Sequence, residues 1–148
     1  ARRGDGLGKI SLAMQNFIYA LIQILHNFGA VAIVGIAAAS LWLAGGNTVL
    51  LHRLAIFTAL AWLIQAMSGA FFGLSTFYFE HHLPDIHGIA VDALIVKMLC
   101  AASGIILAVM YIKRDAQLSV ASATSIWRIL LALGVVALCS AAFLRWFS

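Results

Sequence analysis

The chain has 148 residues, of which 64% are hydrophobic and 9% are charged. A typical soluble domain is about half apolar and about a quarter charged, so a water-soluble fold of this size could not bury so much apolar surface. The formal net charge of +4 comes from nine Lys and Arg against five Asp and Glu. These charges stand mostly at the ends of apolar segments, as membrane-boundary anchors do, and they form no basic patch for nucleic acid. The composition therefore predicts an integral membrane protein with a lipid bilayer around it and no nucleic-acid partner.

The first half of the chain predicts two membrane-spanning helices. Residues 10–52 contain no Asp, Glu, Lys or Arg, and a helix crosses a bilayer in about 20 residues. We place helix 1 at about 14–43, before the turn residues Gly45, Gly46 and Asn47. Residues 54–79 are again free of charge, which predicts helix 2 at about 50–78. We expect helix 1 to be retained as a span, because it is too long for the core of a signal peptide.

The second half predicts two more spans. The segment 80–87 is rich in histidine and acidic residues and contains Pro84, the one proline, so we expect a turn there. Helix 3 is predicted at about 88–112, ending before Lys113 and Arg114, and helix 4 at about 124–147 after a polar linker. The fold class predicted for residues 1–148 is a single all-α membrane domain, an antiparallel bundle of four transmembrane helices.

His26 is the first candidate functional residue. It lies inside the first uncharged segment, between Gln23 and Asn27 on one helix face, and we expect this polar stripe to point inward. A histidine inside a span is a functional hypothesis by default. It could hydrogen-bond a neighbouring helix, bind another metal, or ligate haem iron through a ring nitrogen, as axial histidines do. A second polar stripe, with Gln65 and Ser68, follows helix 2.

Lys97 is the second candidate, because it stands within the predicted helix 3. A lysine at the centre of a membrane helix costs about 2.5–3.5 kcal/mol on insertion scales. It shares a helix face with Cys100 and Gly104, so we expect it to point into the bundle. Its candidate partners are Asp92, an amide of helix 1 or 2, or a cofactor carboxylate such as a haem propionate. An ion pair with a structural role and a functional role both remain open.

The histidines of the 80–87 turn are a third candidate. If the four helices alternate in direction, His81, His82 and His87 lie in the same half of the membrane as His26. Imidazole together with carboxylate suits Zn, Cu or Fe. The turn is either a solvated loop or part of a metal site made by His26, His81, His82 and His87. The spacing of these histidines fits no standard zinc signature.

Three segments resemble the copper-resistance D superfamily. The segment 25–30, Leu-His-Asn-Phe-Gly-Ala, followed by Gly35, resembles the first helix of that family, in which a histidine precedes small residues and a Gly-rich stretch. Ser68-Gly69 near the end of helix 2 is similar. The segment 88–97 and the small-residue run after it resemble the third helix and its lysine. The chain is also similar to a related four-helix group, the bacterial membrane-bound haem-type protoporphyrinogen oxidases, which pair a helix 1 histidine with a helix 3 lysine.

The resemblance implies that His26 and Lys97 form a haem-associated, cofactor-binding site, or that the protein handles copper. It also implies the bacterial inner (cytoplasmic) membrane. No turn is long enough for a separate domain, so we expect a small subunit of a larger redox or metal-handling complex that holds a b-type haem near His26. Such a subunit would be non-catalytic or transfer electrons rather than act as a stand-alone enzyme. The alternatives are a copper-uptake or metal-handling membrane protein, and an accessory subunit without a cofactor.

Overall fold

The computed structural model of the chain describes residues 4–42, 46–81 and 86–147. These residues form no β-strand. They form four α-helices, α1 (Gly4–Trp42), α2 (Thr48–Glu80), α3 (Ile89–Arg114) and α4 (Val120–Phe147), with a 3-10 turn at Asp115–Gln117. Each of the four helices is long and apolar enough to cross a membrane, by length and composition. The prediction of four apolar helices is therefore confirmed.

The helix bounds differ most from the predicted ones at the starts of α1 and α4. Helix α1 begins at Gly4 instead of near residue 14. Residues 4–13 contain no proline that would interrupt a helix. The predicted end of helix 1 at residue 43 lies outside the described residues. Helix α4 begins at Val120 instead of near residue 124. Ser119 caps it, because its Oγ accepts a hydrogen bond from the Ser122 N–H at 3.2 Å. The bounds of α2 and α3 agree with the predicted ones to within about two residues.

Local capping explains where α2 and α3 begin and end. The Asn47 side chain accepts a hydrogen bond from the Leu50 N–H at 3.0 Å and so caps α2. At the other end, His81 adopts a left-handed conformation (φ 58°) and its N–H donates to the Phe77 carbonyl. Gly88 precedes α3 with φ 51°, a conformation that favours glycine. The basic residues Lys113 and Arg114 lie in the last turn of α3, where they interact favourably with the helix dipole.

Each helix packs most extensively against two others. Helix α1 contacts α2 and α4, and α3 likewise contacts α2 and α4. Two apolar clusters lie between the helices. The first lies where Leu51 of α2 meets Tyr111 of α3 and Trp127 of α4. The second brings Ile33 of α1 and Trp62 of α2 together with Cys100, Ala61 and Ala137. Large apolar side chains cover the outside of all four helices, and an apolar exterior of this extent is suited to lipid.

Close approach of α2 and α3 depends on one glycine. The Trp62 side chain is fully buried and lies directly over Gly104. A Cβ added at Gly104 would lie 2.6 Å from Nε1 and 2.7 Å from Cδ2 of the indole. Only a residue without a side chain leaves room for the tryptophan, so Gly104 sets the spacing of the two helices at the centre of the protein.

A hydrogen-bonded pair of side chains joins the start of α2 to the α3–α4 connection. His52 Nδ1 lies 2.6 Å from Asp115 Oδ2, and Asp115 Oδ1 accepts from the Ala116 N–H at 2.8 Å. The sequence predicts His52 only as an interfacial residue next to Arg53. Both side chains of the pair are partly exposed, so solvent weakens their interaction. The pair links α2 to the 3-10 turn at the end of the protein where the first apolar cluster lies.

Candidate functional site

His26 and Lys97 meet between α1 and α3. The Lys97 Nζ lies 2.8 Å from the His26 Nε2. Both side chains are half-buried. The residue-based prediction that Lys97 points into the helix assembly is confirmed, but its partner is the imidazole of His26 instead of Asp92 or an amide. Asp92 is exposed. An ammonium and an imidazole thus face each other within segments that are otherwise apolar.

Two polar side chains of α2 complete this cluster. The Gln65 Nε2 lies 2.8 Å from the His26 Nε2, and the Ser68 Oγ lies 2.8 Å from the His26 Nδ1. Gln65 is 7% exposed and Ser68 is 5% exposed. Both ring nitrogens of His26 are therefore hydrogen-bonded, and the imidazole links three helices. We refer to His26, Gln65, Ser68 and Lys97 as the polar cluster.

The sequence indicates the polar stripe of α2, but it does not indicate that Gln65 and Ser68 of this stripe contact His26. The signal that could have done so is the pairing of two stripes on neighbouring helices. Small residues make the approach possible. A Cβ added at Gly29 would lie 2.9 Å from the Gln65 Oε1, and one added at Gly69 would lie 3.8 Å from the His26 Cε1. Gly29 therefore leaves the space that the Gln65 amide fills.

The predicted inward stripe of α1 is wrong for two of its members. Gln23 and Asn27 are exposed, and the Gln23 amide donates to the Asn27 Oδ1 at 2.9 Å within the same helix. This local bond between residues four apart pairs one group of each amide within α1 itself. Only His26 of that polar group reaches the neighbouring helices. On α1, His26 is therefore the one member of this stripe that remains a candidate functional residue.

The polar cluster has more hydrogen-bond donors than acceptors. Lys97 brings three N–H donors and Gln65 brings two, and both are directed at the single lone pair of the His26 Nε2. The described residues place no Asp or Glu carboxylate within ion-pairing distance of Lys97. The Gln65 Oε1 is buried without a hydrogen-bond partner among the described residues. Among the described residues, the Lys97 ammonium therefore has no counter-charge, and an unpaired charge away from water is costly.

The other candidate histidines, at the end of α2 and just before α3, are not members of the polar cluster. His81 and His87 are exposed, while His82 lies outside the described residues. Within the part of the chain that the structure describes, no group of three or more His, Cys, Asp or Glu side chains could hold a metal ion. The metal site predicted from His26, His81, His82 and His87 stays a prediction.

An apolar groove runs along α2 next to the polar cluster. It has a volume of about 420 Å³ and is lined by Gly69, Ala70, Gly73, Leu74 and Phe77. Gly69 is also the glycine that faces the edge of the His26 ring. Gly69, Ala70 and Gly73 have small or no side chains, and the groove between them and the larger residues opens to the outside of the helices. A flat apolar group could lie there beside the imidazole.

The arrangement can supply an imidazole nitrogen to a metal and an ammonium to an anionic oxygen at adjacent positions. Histidine nitrogens are ligands of Zn, Cu and haem iron, and lysine is a donor without acceptor capacity. The chain matches no protein-family model, no curated protein and no solved structure, so its function is inferred from the residues of this site.

Proposed function

We propose that the chain is an integral membrane protein whose four helices form an antiparallel bundle in the bilayer. Two contacts between α1 and α2 support the antiparallel order. Tyr19 donates to Thr76 at 3.1 Å, whereas His26, farther along α1, meets Ser68, which comes earlier in α2. The apolar exterior and the four long apolar helices support insertion in a membrane. By its resemblance to bacterial four-helix families, we propose the bacterial inner membrane.

Within that bundle, the proposed function is to hold a b-type haem at the polar cluster. The observation that carries the proposal is the surplus of donors at Lys97 and Gln65, together with the absence of a counter-charge for Lys97 among the described residues. A haem brings both of the groups that the cluster lacks, namely a metal that binds an imidazole nitrogen and carboxylates that pair with an ammonium. The residues present therefore fit the cofactor.

His26, Lys97 and the apolar groove would each contact a different part of the haem. His26 would bind the iron through Nε2, and Lys97 would turn from the ring to a propionate carboxylate. The apolar groove beside Gly69 and Gly73 would take part of the flat ring. A bound haem supplies one-electron chemistry, while the protein orients the ligand, excludes water and sets the local charge. The helices carry no connecting segment long enough to be a domain, so we propose a small electron-transfer or haem-holding subunit of a larger redox or metal-handling assembly.

The absorption spectrum and the metal content of the purified protein test this function. We expect the bands of a b-type haem and about one equivalent of iron per chain. Copper without haem bands would favour the alternative of a copper-handling protein that uses His26 with His81, His82 or His87. Neither metal in protein that retains its fold would contradict both cofactor proposals and leave an accessory subunit that only packs against partner chains.

The proposed topology predicts which connecting segments share a side of the membrane. In a background with Cys100→Ser and Cys139→Ser, single cysteines at Leu83→Cys and Ser119→Cys should react with an impermeant thiol reagent from opposite sides. The reason is that one helix, α3, separates the two segments. The measurement is labelling of intact cells against labelling of inverted vesicles. Reaction of both cysteines from the same side would contradict the four-span arrangement.

A further inference from the structure

Ser68 has its hydroxyl proton committed to the backbone of its own helix. The Ser68 Oγ lies 2.7 Å from the Ile64 carbonyl oxygen and 3.1 Å from the Gln65 carbonyl oxygen. Carbonyl oxygens only accept hydrogen bonds, and a hydroxyl has one proton to donate. The same Oγ lies 2.8 Å from the His26 Nδ1. At that contact the hydroxyl must therefore accept, which requires the proton to be on Nδ1.

The other side of the ring leads to the same assignment. The His26 Nε2 faces the Lys97 ammonium and the Gln65 amide nitrogen, both at 2.8 Å. Both groups are donors, so Nε2 presents its lone pair. Reversing the Gln65 amide would place an acceptor at Nε2 and call for a proton there. With a proton on Nε2, the Lys97 ammonium would face an N–H instead of a lone pair and would lose its acceptor.

We propose that Ser68 is a positioning residue that holds His26 in the neutral Nδ1–H tautomer and so presents the Nε2 lone pair to Lys97 and Gln65. The use of that lone pair as an iron ligand rests on the proposed function, whereas the tautomer itself does not. Metal-binding histidines commonly donate their second ring N–H to a nearby acceptor, which fixes both the tautomer and the ring orientation. In this chain a hydroxyl takes that part, since it is left as a pure acceptor by its own backbone bonds.

Nitrogen-15 NMR of the histidine-labelled, cofactor-free full chain tests the assignment directly. The resonances of His26 are identified by their loss in His26→Gln. In the wild-type protein we expect a protonated-type resonance for Nδ1 and an unprotonated-type resonance for Nε2. In Ser68→Ala, Nδ1–H loses its acceptor in a buried position, so we expect the Nε2–H tautomer to appear, with the Gln65 Oε1 turned toward the ring as its acceptor. Ser68→Thr keeps the hydroxyl and should restore the wild-type pattern.

Ser40→Ala is the matched control, because Ser40 is also buried and bonds the carbonyl four residues earlier, at 2.8 Å, on α1. It should leave the His26 resonances unchanged. A wild-type protein with the proton on Nε2, or a Ser68→Ala variant with an unchanged tautomer, would overturn the proposal. The absorption spectrum tests the proposed haem function, and the NMR experiment tests the His26 tautomer, so the two proposals can fail independently. The expected tautomer without haem leaves Ser68 as the positioning residue of a different site, and haem with the other tautomer refutes the inference about Ser68 alone.

Discussion

Lys97→Met is expected to lower the haem content of the purified protein at least severalfold while leaving the cofactor-free protein no less stable than wild type. The ammonium has no carboxylate partner within the described residues, and a lysine within a membrane helix costs about 2.5–3.5 kcal/mol on insertion scales. Methionine has a similar length and no charge. It removes that cost and still leaves the His26 Nε2 with a donor from Gln65. Stability and haem content should therefore change independently.

The two quantities are measured as resistance to unfolding in detergent and as haem absorbance per mole of protein. Lys113→Met is the matched control, since Lys113 is exposed in the last turn of the same helix. It should retain the wild-type haem content. Lys97→Arg keeps the positive charge and should retain part of it. If Lys97→Met bound as much haem as wild type, Lys97 would have no part in the cofactor site.

Gly104→Ala should reduce the free energy of unfolding by up to about 2 kcal/mol, because overpacking a well-filled core costs about 1–3 kcal/mol and helix propensity returns about 1 kcal/mol of it. The added Cβ would lie within 2.6–2.7 Å of atoms of the Trp62 indole, and Trp62 is fully buried, so the ring has no open direction in which to move. The effect is measured by unfolding in detergent, followed by tryptophan fluorescence.

Gly35→Ala is the control for the helix propensity of alanine. A Cβ at Gly35 meets nothing within 4 Å, so this variant should be as stable as wild type or more stable by up to about 1 kcal/mol. Equal stability of Gly104→Ala and Gly35→Ala would contradict the close contact between α2 and α3.

The sequence was sufficient to predict the four apolar helices, because charge-free segments longer than about 20 residues are a strong signal. It was less informative about where the helices begin. Ser119 begins α4 by capping it, and a polar linker with no Gly or Pro does not reveal which serine is the cap. Likewise, the pairing of His52 with Asp115 joins residues that are distant in the sequence, and no periodicity within one helix indicates it.

For the candidate site, His26 and Lys97 each stand out as ionisable residues within apolar segments, and only the family resemblance implied that the two share a site. Their contact could not be derived from helical periodicity. Periodicity gives the face of a residue on its own helix, whereas a contact also depends on the relative height and rotation of two helices. The same limit explains Gln23 and Asn27, which share a face with His26 but bond each other at the surface. Gly29 leaves the space that the Gln65 side chain occupies. No pattern within one helix indicates such a contact between two helices.

The most direct test of the central claim is the reduced absorption spectrum of protein purified in mild detergent, recorded for wild type and for His26→Ala. Asn27→Ala serves as the control, because Asn27 is the neighbouring polar residue on α1 and is exposed. If His26 holds a b-type haem between α1, α2 and α3, the haem bands are present in wild type and in Asn27→Ala and are lost in His26→Ala. Haem bands of full intensity in His26→Ala, or their absence from folded wild-type protein, would contradict a haem site at His26.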